Sequence, residues 1–355
     1  MQNFNSMYLE PLFFSLFFGL VFTKALMVLS GKWGLFDKSS GRRQHKSRIS
    51  RLGGVGVIAA FWLAIFLSGS LVFDDLKTGL VLCSVLIFIF GLWDDFRELD
   101  WKKQLLFQIA VALIMIRAGL GVEYIANPLG GKEFRLDGLV LAGYSVCGSL
   151  FVILWIVGFM NVVNWLDGMD GLAGGVGAIA SLTLFFLSIS DLVNQPPLAI
   201  MAIALFGALL GFLFFNFYPA KIFMGSSGAL FLGFMLSVLA IFSGGKIATM
   251  FLVMGFPILD AIWVIYRRLR AGRSPFLGDR SHFHYQLLDR GMPERKVVAL
   301  LYALSLLFGL AALAFQGIYK MAALAFLVLL VLFVMNAVES GKLPGGKLSG
   351  NGQVK

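Results

Sequence analysis

Apolar residues in this chain gather into runs of about 20, the length of helix needed to cross the hydrocarbon of a bilayer. Such segments fall at residues 8–30, 52–72, 76–93, 104–121, 139–163, 169–190, 197–217, 228–243, 247–267, 297–316 and 319–338. Their number and the mean hydropathy of +0.87 point to an all-α, polytopic membrane protein with about 11 transmembrane helices. No internal repeat stands out. The simplest organisation is a single membrane domain over residues 1–338, followed by a glycine-rich, flexible tail over 339–355. The apolar stretch at the N-terminus lacks a basic flank and is long enough to span, so it reads as a span rather than a cleavable signal.

The net charge of +10 raises nucleic acid as a partner, but its distribution argues for a membrane instead. With the N-terminus outside, loops 31–51, 94–103, 164–168, 218–227 and 268–296 and the tail are cytoplasmic. They hold 22 Lys or Arg, counting Arg267 at the end of the ninth segment, against five on the other side: Lys77, Lys132, Arg135, Lys246 and Lys320. That asymmetry orients the chain and puts the tail inside. The outer loop 122–138 carries Pro-Leu-Gly-Gly at its centre, a hairpin signal. Cys83 and Cys147 lie inside apolar runs and give neither a disulfide framework nor metal-ligand spacing.

Side chains able to do chemistry collect on the cytoplasmic side. Asp94 and Asp95 close the third segment, where two carboxylates repel each other and oppose the helix dipole. A solvated helix end would also look like this. In "NVVNWLDGMDGLAGG", Asn161, Asn164, Asp167 and Asp170 recur every three residues and form one polar stripe on a helix. Polar groups between two apolar spans usually face a cavity or pathway, and Gly168 and Gly171 are placed to break the helix there. Asn216 precedes "FMGSSGALFLG", a glycine turn whose Ser226 and Ser227 can cap the next helix. Asp260 lies inside the ninth segment and needs a partner or water. His282 and His284, beside Asp279 and Arg280, suit phosphate contact better than zinc, since no third histidine or cysteine pair accompanies them. Asp37, Arg42, Arg43, His45, Lys46, Arg48 and Arg51 make a basic first loop suited to topology or to a phosphorylated lipid headgroup. Carboxylates, amides and cations on one membrane face are the parts of a metal-assisted phosphoryl transfer.

In their order along residues 8–316, these motifs resemble the polyprenyl-phosphate N-acetylhexosamine-1-phosphate transferases. The His-x-His form is similar to the branch that starts O-antigen, common-antigen or teichoic-acid synthesis. The resemblance implies attack of undecaprenyl or another polyprenyl phosphate on the β-phosphate of a UDP-amino sugar. UMP leaves, and the reaction runs with Mg²⁺ (Mn²⁺ as the alternative) at the bacterial inner membrane. It implies catalytic roles for Asp94, Asp95, Asp167, Asp170, His282 and His284. His45, Asn161, Asn164, Asn216, Phe223 and Arg280 would hold substrate. Asp94, Asp167, Asp170 and position 226 would meet the metal. The expected partners are the lipid, the UDP-sugar and the membrane, with a homodimer compatible and nucleic acid excluded.

One position departs from the pattern. The family's turn reads F-x-G-D-x-G, and its aspartate is a metal ligand; here the residue is Ser226, which brings a hydroxyl and no charge. The alternative function is therefore a catalytically impaired relative, or an engineered variant, that binds substrate without turnover. A transporter using intramembrane acids is the more distant option, since inverted repeats are not apparent.

Overall fold

The computed structural model describes residues 4–33, 49–125, 127, 132–191, 193–242, 251, 254–274 and 281–339. Among them are the helices α1 (Phe4–Trp33), α2 (Gly53–Ser68), α3 (Asp75–Arg97), α4 (Trp101–Arg117), α5 (Val146–Leu166) and α6 (Leu172–Ile189). They continue as α7 (Pro196–Asn216), α8 (Gly225–Phe242), α9 (Gly255–Arg270), the short α10 (Phe283–Asp289), α11 (Glu294–Ala314) and α12 (Gly317–Glu339). Each of the apolar segments read from the sequence overlaps one of these helices. Eight are long and apolar enough to cross a membrane by length and composition: α1, α3, α5, α6, α7, α8, α11 and α12. The chain is an all-α, multi-pass membrane protein.

Local chemistry fixes the helix ends. Asp74 starts α3 by accepting from the Lys77 N–H at 2.9 Å. Asp100 starts α4 by accepting from Lys102 and Lys103, and Ser145 starts α5 by accepting from Gly148. Pro196 and Pro197 open α7, where their missing N–H groups cost nothing. Gly171, at φ +76°, separates α5 from α6, a backbone turn that a side chain would strain.

The fifth helix begins later than its apolar run. Val140–Leu141 (β3) pairs with Tyr144–Ser145 (β4), and Ala142 and Gly143 between them both have positive φ. That two-residue turn matches the twist of a hairpin, so residues 140–145 leave the helix despite their apolar character. A second hairpin joins Tyr124–Ile125 (β1) to Phe134–Arg135 (β2). The Pro-Leu-Gly-Gly expected at its tip lies outside the described residues.

α8 is the central helix. Of its most apolar 18 residues 89% are buried, against 17% for α1 and 22% for α12, which face outward. Exposed Phe13, Phe214, Leu329 and Phe333 belong on such a surface, where lipid replaces water. Lipid tails are as apolar as the core, so close packing must hold the helices together. Gly207 and Gly211 of α7 let α1 approach: a Cβ on Gly211 would lie 2.7 Å from the Leu16 carbonyl oxygen and the Leu20 nitrogen. Around the start of α8 the approach is as tight. A Cβ on Gly54 of α2, or on Gly91 of α3, would come within 2.2 Å of the α8 backbone.

Candidate active site

The close packing brings the end of α3 against the beginning of α8. The helix runs on to Arg97, so Asp94 and Asp95 lie near its C-terminus, as the sequence implied. Consecutive residues on a helix point about 100° apart, and the two carboxylates separate accordingly. Asp94 is buried and turns toward α4: its Oδ1 accepts from the Leu99 N–H at 2.9 Å and from Gln104 Nε2 at 3.0 Å. Asp95 turns toward α8. Its Oδ1 accepts from the Ser226 N–H at 2.8 Å, and its Oδ2 faces the N–H and hydroxyl of Ser227 at 3.4 Å each.

This replaces the serine caps expected from the sequence. α8 starts at Gly225, so Ser226 and Ser227 occupy its first turn, and the cap is a carboxylate delivered from another helix. A negative group at a helix N-terminus satisfies free N–H donors and complements the dipole. The backbone makes room for it: Gly225 has φ +73°, and a Cβ there would lie 2.2 Å from the Arg51 carbonyl oxygen and 2.8 Å from Asp95. The neighbouring strand-like segment is pinned as well. The Gly53 and Gly54 N–H groups donate to the Phe223 and Met224 carbonyls at 2.9 and 2.8 Å, and Phe223 N–H donates to Ser50. Phe223 itself is buried in a small cluster with Ile49 and Ala220.

The polar stripe divides where α5 ends. Asn161 lies inside the helix and donates to Gln108 Oε1 of α4 at 2.7 Å and to the Val157 carbonyl. Asn164 is half-buried in the next turn, and Asp167 forms the α5 C-cap. Asp170 is buried; its Oδ2 accepts from the Ala220 N–H at 2.9 Å, while its own N–H donates to Glu294. Asn216 ties the same two loops together. Its Oδ1 accepts from Gly171 N–H at 3.0 Å and its Nδ2 donates to the Ile222 carbonyl at 2.8 Å. Loop 167–171 is thereby fixed to loop 216–224, which leads into the α8 turn.

The histidine segment closes the arrangement from the other side. The Tyr285 hydroxyl donates to the Gly168 carbonyl, and a Cβ on Gly168 would lie 2.9 Å from His284 Nε2. His282 and His284 stack with ring centres 5.7 Å apart. His282 Nδ1 is 2.8 Å from Asp260 Oδ2, so the acid inside the ninth segment has found its partner. His45 and Arg280 lie outside the described residues.

Four contributors escaped the sequence reading: Gln104, Glu294, Tyr285 and Tyr302, the last donating to the Gly171 carbonyl at 2.6 Å. Isolated polar residues at helix starts are too common to single out. Gln104 and Gln108, four apart in an otherwise apolar run, were the one available signal.

Fit to a divalent cation turns on this donor set. Among the described residues, no three His, Cys, Asp or Glu side chains gather into a cage. The members of the expected set Asp94, Asp167, Asp170 and Ser226 are therefore not brought together as a group of three acids. Mg²⁺ asks for less: one or two carboxylates, waters and the oxygens of a phosphorylated substrate. Asp95, beside the half-buried Ser226, meets that smaller demand, whereas Asp94 is turned toward α4.

Fold and geometry together define a polytopic membrane protein whose acidic, amide and histidine side chains are linked at helix ends, a layout suited to a phosphorylated ligand. Comparison with known proteins is more specific. Residues 77–244 match the model of glycosyl transferase family 4. The chain is 28% identical to the "probable undecaprenyl-phosphate N-acetylglucosaminyl 1-phosphate transferase" of Bacillus subtilis, over 90% of this chain and 88% of that one. It is 32% identical to the "decaprenyl-phosphate N-acetylglucosaminephosphotransferase" of Mycobacterium leprae, over 74% and 72%. With the "undecaprenyl-phosphate alpha-N-acetylglucosaminyl 1-phosphate transferase" of Thermotoga maritima it shares 27% identity over 90% and 94%. The chain belongs to glycosyl transferase family 4, among the polyprenyl-phosphate N-acetylhexosamine-1-phosphate transferases.

Proposed function

We propose that the protein transfers N-acetylglucosamine 1-phosphate from its UDP derivative to a polyprenyl phosphate at the cytoplasmic face of the bacterial inner membrane. The product would start a cell-surface polysaccharide. The observation that carries this reading is the unbroken series of contacts from Asp95 through the α8 turn, Asn216 and Gly171 to Gly168 and the histidine segment. The names of the relatives support the transferred group and the lipid.

In the reaction an oxygen of the lipid phosphate attacks the sugar-bearing phosphorus. A new P–O bond forms as the bond to the UMP oxygen breaks, and UMP departs with that electron pair. A phosphate monoester has its second pKa at about 6, so the nucleophile is largely ionised at neutral pH. Alignment and charge screening then matter more than proton removal. Asp94, held by the α3–α4 turn, and Asp95, held by α8, are rigid acids on one side. Asp95 and the Ser226 hydroxyl, with oxygens of a substrate phosphate, would hold Mg²⁺, while Asp94 would brace the end of α3 and Asp167 and Asp170 the loop that leads toward the site. When bound, the ion supplies Lewis-acid stabilisation of phosphate charge. His282 and His284 would contact the diphosphate, with Arg280 as a cationic partner. Asn161 and Asn164 would keep the α5 end in place, and Asn216 and Phe223 would shape the nucleotide side.

Loss of turnover through Ser226 is not favoured. The relatives are named for the transfer, and a carboxylate, that of Asp95, already bonds to the Ser226 backbone. Incubating the purified protein with undecaprenyl phosphate, Mg²⁺ and a panel of UDP-amino sugars tests the proposal. A lipid-linked N-acetylglucosamine is expected; no lipid-linked sugar from any donor would refute it.

A further inference from the structure

The acid of α9 is engaged with the histidine segment through both of its oxygens. Asp260 Oδ2 lies 2.8 Å from His282 Nδ1, and Asp260 Oδ1 accepts from the Phe283 N–H at 2.8 Å. The two groups are buried, with side-chain exposures of 5% for Asp260 and 8% for His282. A carboxylate accepts and does not donate, so the ring must carry its proton on Nδ1 to make this bond. Nε2 has no hydrogen-bond partner among the described residues and is the ring atom left for a ligand. The second bond, to Phe283, fixes the backbone at the first turn of α10, from which His282 and His284 both project. One side chain therefore sets the ring's tautomer and the segment's position.

We propose that Asp260 is a positioning residue for the transfer: it keeps a proton on His282 Nδ1 and aims Nε2 at the phosphates of the donor, to which Nε2 donates once the ring takes up its second proton. The inference rests on the transferase reading. It gives the ninth segment a part in the site, although α9 lies outside residues 77–244 matched by the family model. The tautomer of a histidine is set by the bond that its other nitrogen makes, and partners of this kind are costly to remove even when they touch no substrate.

Asp260→Asn tests it. The amide keeps a carbonyl oxygen for the Phe283 N–H, so the fold should survive. Its NH₂ group then faces Nδ1, which favours proton loss there and the Nε2–H form. The chain has only three histidines, so ¹⁵N ring spectra of labelled protein can be assigned by removing each in turn. We expect the His282 signal to change from Nδ1–H in the original protein to Nε2–H in the variant. We expect kcat to fall about 10–100-fold, with KM for UDP-N-acetylglucosamine changed by less than about threefold. Asp260→Asn combined with His282→Ala should be no slower than His282→Ala alone. An Nε2–H ring in the original protein would overturn the geometric basis. A tautomer switch with unchanged kcat, or independent effects in the double variant, would overturn the positioning role. The spectra need no turnover. Failure of the transferase reading, seen as no product from the original protein, is therefore distinguishable from failure of this one.

Discussion

If Asp95 carries the charge for the α8 turn, then a second acid at position 226 should be harmful beside it and helpful without it. Asp95 Oδ1 is 2.8 Å from the Ser226 nitrogen. A carboxylate built on residue 226 would come about 5 Å from that of Asp95. At an effective dielectric constant of about 20, the repulsion is about 3 kcal/mol. Ser226→Asp should therefore lower stability by about that much in EDTA, where no divalent cation bridges the pair. Asp95→Asn keeps one acceptor oxygen but loses the charge and presents an NH₂ group to the Ser227 N–H. The loss of a charge-assisted cap is worth about 1–2 kcal/mol. In that background Ser226→Asp places a single acid in the first turn of α8 and should recover about 0.3–1 kcal/mol. The assay is unfolding of the detergent-solubilised protein for all four members of the cycle. The sign of Ser226→Asp should reverse between backgrounds, with a coupling of about 3–4 kcal/mol. A coupling below about 0.5 kcal/mol, the range of independent sites, would refute the argument.

Gly91→Ala should destabilise by about 1–3 kcal/mol or more, because its Cβ would meet the Ser227 Cα at 2.2 Å and backbone cannot step aside; an unchanged melting temperature would contradict the packing of α3 on α8. The pH response of the α4 start follows from Asp100, whose carboxyl is held below the usual carboxylate range by the Lys103 and Lys102 backbone N–H groups. A lowered folded-state value means that the stabilisation is present above the ordinary carboxylate pKa and is lost as pH falls through the lowered one. Amide exchange at Lys102 and Lys103 should therefore accelerate only on strong acidification, and acceleration near neutral pH would show another group to be responsible.

Much of the architecture was legible because lipid imposes a simple code: each apolar run became a helix, and Gly171 broke the chain where its place between two spans implied. The ends were less legible. Residues 140–145 are apolar enough for a span, but a turn with two positive-φ residues made them a hairpin. Asp94 and Asp95 read as one acidic pair, yet the helix continues through them and sends them to different neighbours, which no spacing rule reveals. The missing acid at position 226 was visible as a substitution. Its counterpart, Asp95 on the α8 backbone, lies 131 residues away in sequence and required the tertiary packing of Gly91 on Ser227. Likewise Asp260 announced that it needed a partner, but only the fold names His282.

The account as a whole depends on which bond breaks in the nucleotide sugar. Transfer of a sugar 1-phosphate releases UMP, whereas transfer of the sugar alone releases UDP. Chromatography of the nucleotide products, alongside the mass of the lipid product, separates the two. The structure and its relatives lead us to expect one UMP for each lipid that gains an N-acetylglucosamine phosphate. UDP in place of UMP, or a lipid carrying sugar without the added phosphate, would contradict the central claim.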